Sequence, residues 1–400
     1  MRAVEKKYLI PFCLVTILFA LWGLANNMTD TLLSAFKRIM DMSDAQTSLI
    51  QSAFYGSYFC FAFPAAIYIR KHSYKGGIIL GLLLYSLGTM LFLPAAKAAS
   101  YAMYLIAIYI MAGGCSVLEV TANPYILSMG DAETATRRLN VAQAFNPIGS
   151  IAGILMSKYF ILSDISLYSI SGTYSILGLA IILVMVIMLI VKMPGGKDSA
   201  SADGMKAAFL RLARNRTYVF GVVAQFFYVG AQIGVWSFTI RIVMQELGIV
   251  EAQAATVYLA AIVGFCISRF IYTWLMKWFR PERLLAFGAA MSAICAVAVP
   301  LLSGCGWIMV IFLVAISSFM SLMFPTIYGT ALAGVSAGEH PDDMRLGGSG
   351  LVMAILGGAV LTPVQGLISD AWGIYLSYLV PAVCFLVVLW YALYLTRKTI

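Results

Sequence analysis

Four hundred residues would suffice for two or three soluble domains, but 62% of them are hydrophobic and only 11% charged, against about 25% charged in an ordinary soluble protein. So little polar material cannot cover a globule of this size, and the mean hydropathy of +0.92 excludes soluble enzymes and nucleic-acid-binding domains. The net charge of +9 acquires its meaning from where the charges fall along the chain.

The basic N-terminus, MRAVEKKYLI, runs into an apolar stretch without a small-residue cleavage site, so it is read as a retained first span. A spanning helix needs about 20 mostly apolar residues. Runs of that kind predict twelve spans, at 8–30, 47–69, 76–95, 101–125, 139–162, 171–193, 217–241, 253–276, 284–303, 306–330, 347–369 and 374–396. The alternating pattern of a membrane barrel is missing from them. The polar, Gly- and Ser-containing stretch 194–216 reads as a cytoplasmic linker between two six-helix bundles, 1–193 and 217–400. With both termini inside, the cytoplasmic segments hold twenty Lys and Arg against five outside, Arg269 lying within a span. The excess charge therefore obeys the topology rule, and no nucleic-acid partner is expected.

The two halves echo each other. Arg70 and Lys277, Gly81 and Gly288, and Arg138-Leu139 and Arg345-Leu346 recur at one offset of 207 residues. Pro124 and Pro325 recur at 201, the difference falling in the loops. A duplicated six-helix unit predicts an all-α membrane protein of the major facilitator architecture, with substrate held near the midplane between the repeats.

A carboxylate at mid-span costs about 2.5–3.5 kcal/mol on insertion scales, so it needs a partner, a cavity or a task. Asp30, closing LWGLANNMTD in span one, and Glu119, in CSVLEVTANPY of span four, meet that description. An acid in a low-dielectric cavity can be neutral near physiological pH and can load and unload a proton. Both histidines, His72 and His340, fall in loops. The two acids are thus the candidate proton carriers, and the proton the expected coupling ion with no other cofactor.

Faces suited to hydroxyl recognition surround them. Asn140, Gln143 and Asn146 share one stripe of span five, and Gln225, Tyr228, Gln232 and Trp236 one face of span seven. Span one adds Asn27 beside Trp22, Asn26 and Asp30, and span four sets Asn123 one turn from Glu119. Amides donate to and accept from sugar hydroxyls, a carboxyl group accepts and, when protonated, also donates, and an aromatic ring can stack on a pyranose. The plainer alternative is that these amides bridge helices. A membrane enzyme would need a nucleophile or metal cluster. The seven cysteines lie in or beside apolar stretches without CxxC spacing, no GxxxxGK[ST] is present, and neither catalysis, metal binding nor ATP use is expected.

ANNMTD, LIQSAFYGSYF, LEVTANPY, RLNVAQAFNPIGS, AQFFYVGAQIGVWSF, FPTIY and GGAVLTPVQGLISD together resemble the fucose–galactose–glucose permease branch of the major facilitator superfamily, across essentially the whole chain. The resemblance implies proton-driven sugar symport across a bacterial inner membrane by a chain working as a monomer. It implies L-fucose or a similar sugar as substrate, with glucose or galactose as the alternative; a non-transporting membrane sugar sensor is the competing reading from another class. It assigns proton coupling to Asp30, joint sugar and proton handling to Glu119, and sugar contact to Asn146. Pro147 follows Asn146 here, as in the glucose and galactose permeases of the branch.

Overall fold

The computed structural model describes residues 4, 6–41, 44–161, 166–193, 205–336 and 341–398, all their regular elements being helical. In a bilayer only structures that satisfy their own backbone can cross, and apolar runs of this length do so as helices. Among the described residues twelve segments are long and apolar enough to cross a membrane. They are Lys6–Met28, Ser52–Lys71, Tyr74–Lys97 and Tyr101–Leu127 (spans one to four), then Ala132–Ile161, Leu167–Ile190, Arg216–Leu247 and Gln253–Leu275 (five to eight). Pro281–Leu301, Trp307–Ala333, Asp343–Trp372 and Ile374–Lys398 complete the set as spans nine to twelve.

Side-chain caps fix where several begin. Ser73, Ser100, Ser166 and Asn215 each accept a hydrogen bond from the backbone N–H three residues on, opening spans three, four, six and seven. Span seven ends at Gly248, whose φ of 64° is left-handed.

Three features depart from the sequence-based expectations. The first helix runs unbroken over Leu9–Ile39, well beyond the predicted end at residue 30. Among the described residues five spans are interrupted: three between Met90 and Phe92, five between Gln143 and Asn146, ten between Met320 and Met323, eleven between Met353 and Leu356, and twelve between Ser377 and Leu379. Part of the predicted linker, Met205–Arg214, is a helix that buries Ala208 and Leu212. There Arg211 donates from Nε and Nη2 to both oxygens of Asp343, each at 2.7 Å.

The chain forms two compact units that exchange a segment each. The first comprises 1–135, 148–211 and 338–353, and the second 136–147, 212–337 and 354–400. Thus the opening half of span five belongs to the second unit, and the opening half of span eleven to the first.

Each unit repeats the same packing. A Cβ on Gly81 would meet Leu118 of span four at 2.7 Å, and one on Gly288 would meet the Phe319 carbonyl of span ten at 2.7 Å. Gly149 of span five sits against the Ala20 carbonyl of span one, and Gly357 of span eleven against the Phe226 carbonyl of span seven, too close in both cases for any side chain. Such backbone approach is what small residues allow between membrane helices.

Candidate functional site

In the first unit span four is the axial helix, with 78% of its most apolar window buried. Ser116 donates to the Tyr58 carbonyl at 3.0 Å and Ser57 to the Tyr109 carbonyl at 2.5 Å, joining spans two and four in the turns that precede Glu119. These ties hold Glu119 in the interior, 5% exposed. Its carboxyl makes no hydrogen bond or ion pair among the described residues, while Tyr58 and Cys115 lie within electrostatic range. Asn123, one turn further on, is fully buried. Among the described residues Glu119 is therefore enclosed without a cationic partner, a condition that favours a carboxyl able to exchange a proton over a structural ion pair.

Span one contributes less. Asn27 is half-buried and its Nδ2 donates to the Gly23 carbonyl one turn back, at 3.1 Å. The backbone of Asp30 lies inside the first helix, but its side chain is outside the described residues.

The second unit gathers the other stripes. Asn140 is fully buried and donates to the Thr136 carbonyl at 2.9 Å and to Thr326 Oγ1 of span ten at 3.2 Å. It is helix glue, as the plainer alternative had it for any single amide. Gln143 is buried, and Asn146 is half-buried just past the interruption of span five. On span seven Gln225 is fully buried, with neither side-chain atom hydrogen-bonded among the described residues, and the buried Tyr228 hydroxyl is in the same condition. Buried polar atoms of this kind call for an explanation, and a hydroxylated ligand would supply their hydrogen bonds. Gln232 is half-buried. Trp236 donates from Nε1 to Ser317 Oγ at 3.2 Å and stands edge-on to Phe265, ring centroids 5.1 Å apart. Its orientation is thus set by spans eight and ten.

Sequence reasoning missed two buried cations. Arg138 and Arg345, read as loop charges at the openings of spans five and eleven, are 0% and 4% exposed. The Arg345 guanidinium lies over the Tyr74 ring at 5.1 Å. Their Arg-Leu repeat was the available signal, since a charge recurring at matched positions of two repeats has a structural reason. A cleft of about 560 Å³ opens in the second unit, lined by Arg241, Met244, Gln245, Ile249, Ser369, Asp370, Gly373 and Ile374. None of the candidate residues lines it.

Comparison with known proteins agrees with this architecture. The family model described as Major Facilitator Superfamily matches residues 14–342. The chain is 38% identical to an L-fucose-proton symporter of Haemophilus influenzae, over 97% of this chain and 96% of that protein. It is 32% identical to a glucose/galactose transporter of Brucella abortus, over 97% and 95%. It superposes with a TM-score of 0.88 on the crystal structure of the transporter FucP in the outward conformation, 36% identical, covering 97% of this chain and 99% of that one. Twelve spans in two like-packed sets and a match of this length have one reading: the chain belongs to the Major Facilitator Superfamily.

Proposed function

We propose that this protein is a proton-coupled sugar symporter of the bacterial inner membrane, carrying L-fucose or a stereochemically similar sugar by alternating access. The observation that carries the reading is Glu119, an acid enclosed in span four without a cationic partner among the described residues, with Asn123 one turn away. The full-length likeness to an L-fucose-proton symporter supports the choice of sugar. Neutral Glu119 can donate to a sugar hydroxyl from its O–H and accept with its other oxygen, so sugar and proton bind together. Each pH unit of gradient supplies about 1.36 kcal/mol per proton, a tenfold accumulation at one proton per sugar. In this reading Asp30 is the second proton group. Asn27, Asn123, Gln143 and Asn146 contact the sugar, as do Gln225, Tyr228, Gln232 and Trp236. The termini face the cytoplasm, in accord with the Lys and Arg asymmetry.

A glucose or galactose permease is the second reading, favoured by the Brucella abortus relative. Purified protein in liposomes with an imposed inward proton gradient decides between them. Labelled L-fucose is expected to accumulate, and unlabelled L-fucose to compete better than D-glucose or D-galactose. Accumulation of glucose or galactose alone would establish the second reading. Binding without accumulation of any sugar would make the protein a sensor.

A further inference from the structure

Arg269 of span eight is 3% exposed, and its described partners include no carboxylate. Nε donates to the Ser321 carbonyl at 2.6 Å and Nη1 to the Gln143 carbonyl at 3.0 Å, while the guanidinium lies over Phe265 at 4.6 Å. Burying a cation for two neutral acceptors is costly, so the identity of those acceptors matters. In an α-helix the carbonyl of residue i accepts from the N–H of residue i+4. Four residues after Gln143 stands Pro147, and four after Ser321 stands Pro325. Neither proline has an N–H to give. Both carbonyls that Arg269 serves are therefore the ones orphaned by a proline, each at the interruption of its span.

We propose that Arg269 is the positioning residue of the sugar site, a guanidinium that substitutes for the two missing backbone donors and so fixes the breaks in spans five and ten. The proposal rests on the reading that Gln143 and Asn146 contact sugar, since these residues flank the break it holds. Neighbouring contacts converge on the same segment. Phe270, next to Arg269, meets Phe145 edge-on with ring centroids 6.0 Å apart. Asn140 bonds to Thr326, and Gly329 admits Thr136. Residues 136–147 are thereby built into the second unit, and 148 onward into the first. Arginine suits the task because its planar fork aims separate donors at two helices, whereas lysine offers its protons from one point. The first repeat has no counterpart, since Ala62 occupies the position 207 residues before Arg269.

The test is a set of double-mutant cycles read by melting temperature in detergent and by L-fucose affinity. Arg269→Gln is expected to lower the melting temperature and to weaken binding about tenfold or more, because a buried carbonyl loses its donor. Pro147→Ala or Pro325→Ala in the Arg269→Gln background is expected to recover part of both, by restoring the i+4 N–H. Either proline variant alone should be nearly silent, the guanidinium already serving its carbonyl. Additive melting temperatures would overturn the proposal. So would a loss of binding at unchanged stability without rescue, which would place Arg269 on the sugar or the proton. If Arg269→Gln does not fold, the same cycles are run with Arg269→Lys, where rescue by Pro147→Ala is again required. Should the wild-type protein bind no sugar, the functional reading fails, yet the melting cycles still decide the cap.

Discussion

Glu119 and the amides around it carry the chemistry of the proposed symport, and each can be removed with little change of shape. Glu119→Gln preserves size and hydrogen bonding but fixes a neutral group. Binding is expected to persist in part and to become independent of pH through the carboxyl titration, while uphill uptake is lost. Tryptophan quenching by sugar, followed against pH, measures the first, and proteoliposome uptake the second. Unchanged uptake would remove Glu119 from the coupling path. Asn146→Ala and Gln232→Ala are each expected to weaken sugar binding by about 1–3 kcal/mol, the cost of leaving a hydroxyl or amide partner unsatisfied in a dry site. Normal binding with reduced thermal stability would instead make both residues helix glue, as Asn140 already is through Thr326. The sequence separates these roles poorly. One stripe of span five holds both a structural amide, Asn140, and the half-buried Asn146, and spacing alone treats them alike. Whether an amide faces a neighbouring helix or a cavity depends on what the facing helix carries, here Thr326.

The spans themselves are legible because the bilayer demands them: about 20 apolar residues must form a helix or not cross at all. Interruptions are less legible. Pro147 and Pro325 announce two of them, whereas span eleven breaks after Met353 with its nearest proline, Pro363, well inside the following helix. The glycines of the close contacts are readable as small residues but not as partners. Gly149 meets the Ala20 carbonyl and Gly357 the Phe226 carbonyl, while along the same faces the small residue changes sides. Gly153 of span five meets Leu24 of span one, but Leu361 of span eleven meets Gly230 of span seven. The repeats thus keep the helix spacing while exchanging which helix gives way. Gly149→Val is expected to destabilise the protein by about 1–3 kcal/mol, because the added side chain meets backbone that cannot retreat. Thermal unfolding in detergent measures it. Gly172→Val, at a position where an added Cβ would meet no atom within 4 Å, is the control and is expected to leave stability unchanged. Equal losses in both would show that the close approach at Gly149 does not set the cost.

For the whole molecule the question is how proton movement is tied to sugar movement. Accumulation requires the proton to be taken up on one side of the membrane and released on the other. Exchange of labelled for unlabelled sugar requires only that the loaded carrier reorient. In the proposed mechanism Asp30 is the residue that separates the two. It lies 21 residues into a first helix beginning at Leu9, a rise of about 31 Å at 1.5 Å per residue. In the proposed orientation, with the N-terminus in the cytoplasm, that depth puts its backbone toward the outer mouth, where protons enter during uptake. An acid there can govern proton access without touching sugar. Asp30→Asn removes the titration while keeping size and hydrogen-bonding capacity. The variant is expected to bind sugar and to exchange it across proteoliposomes, yet to fail at accumulation under an imposed pH gradient. Loss of binding as well would assign Asp30 to the sugar site or the fold and leave Glu119 as the remaining proton group. Undiminished accumulation would reduce Asp30 to an interfacial acid, and coupling would then have to run through span four alone.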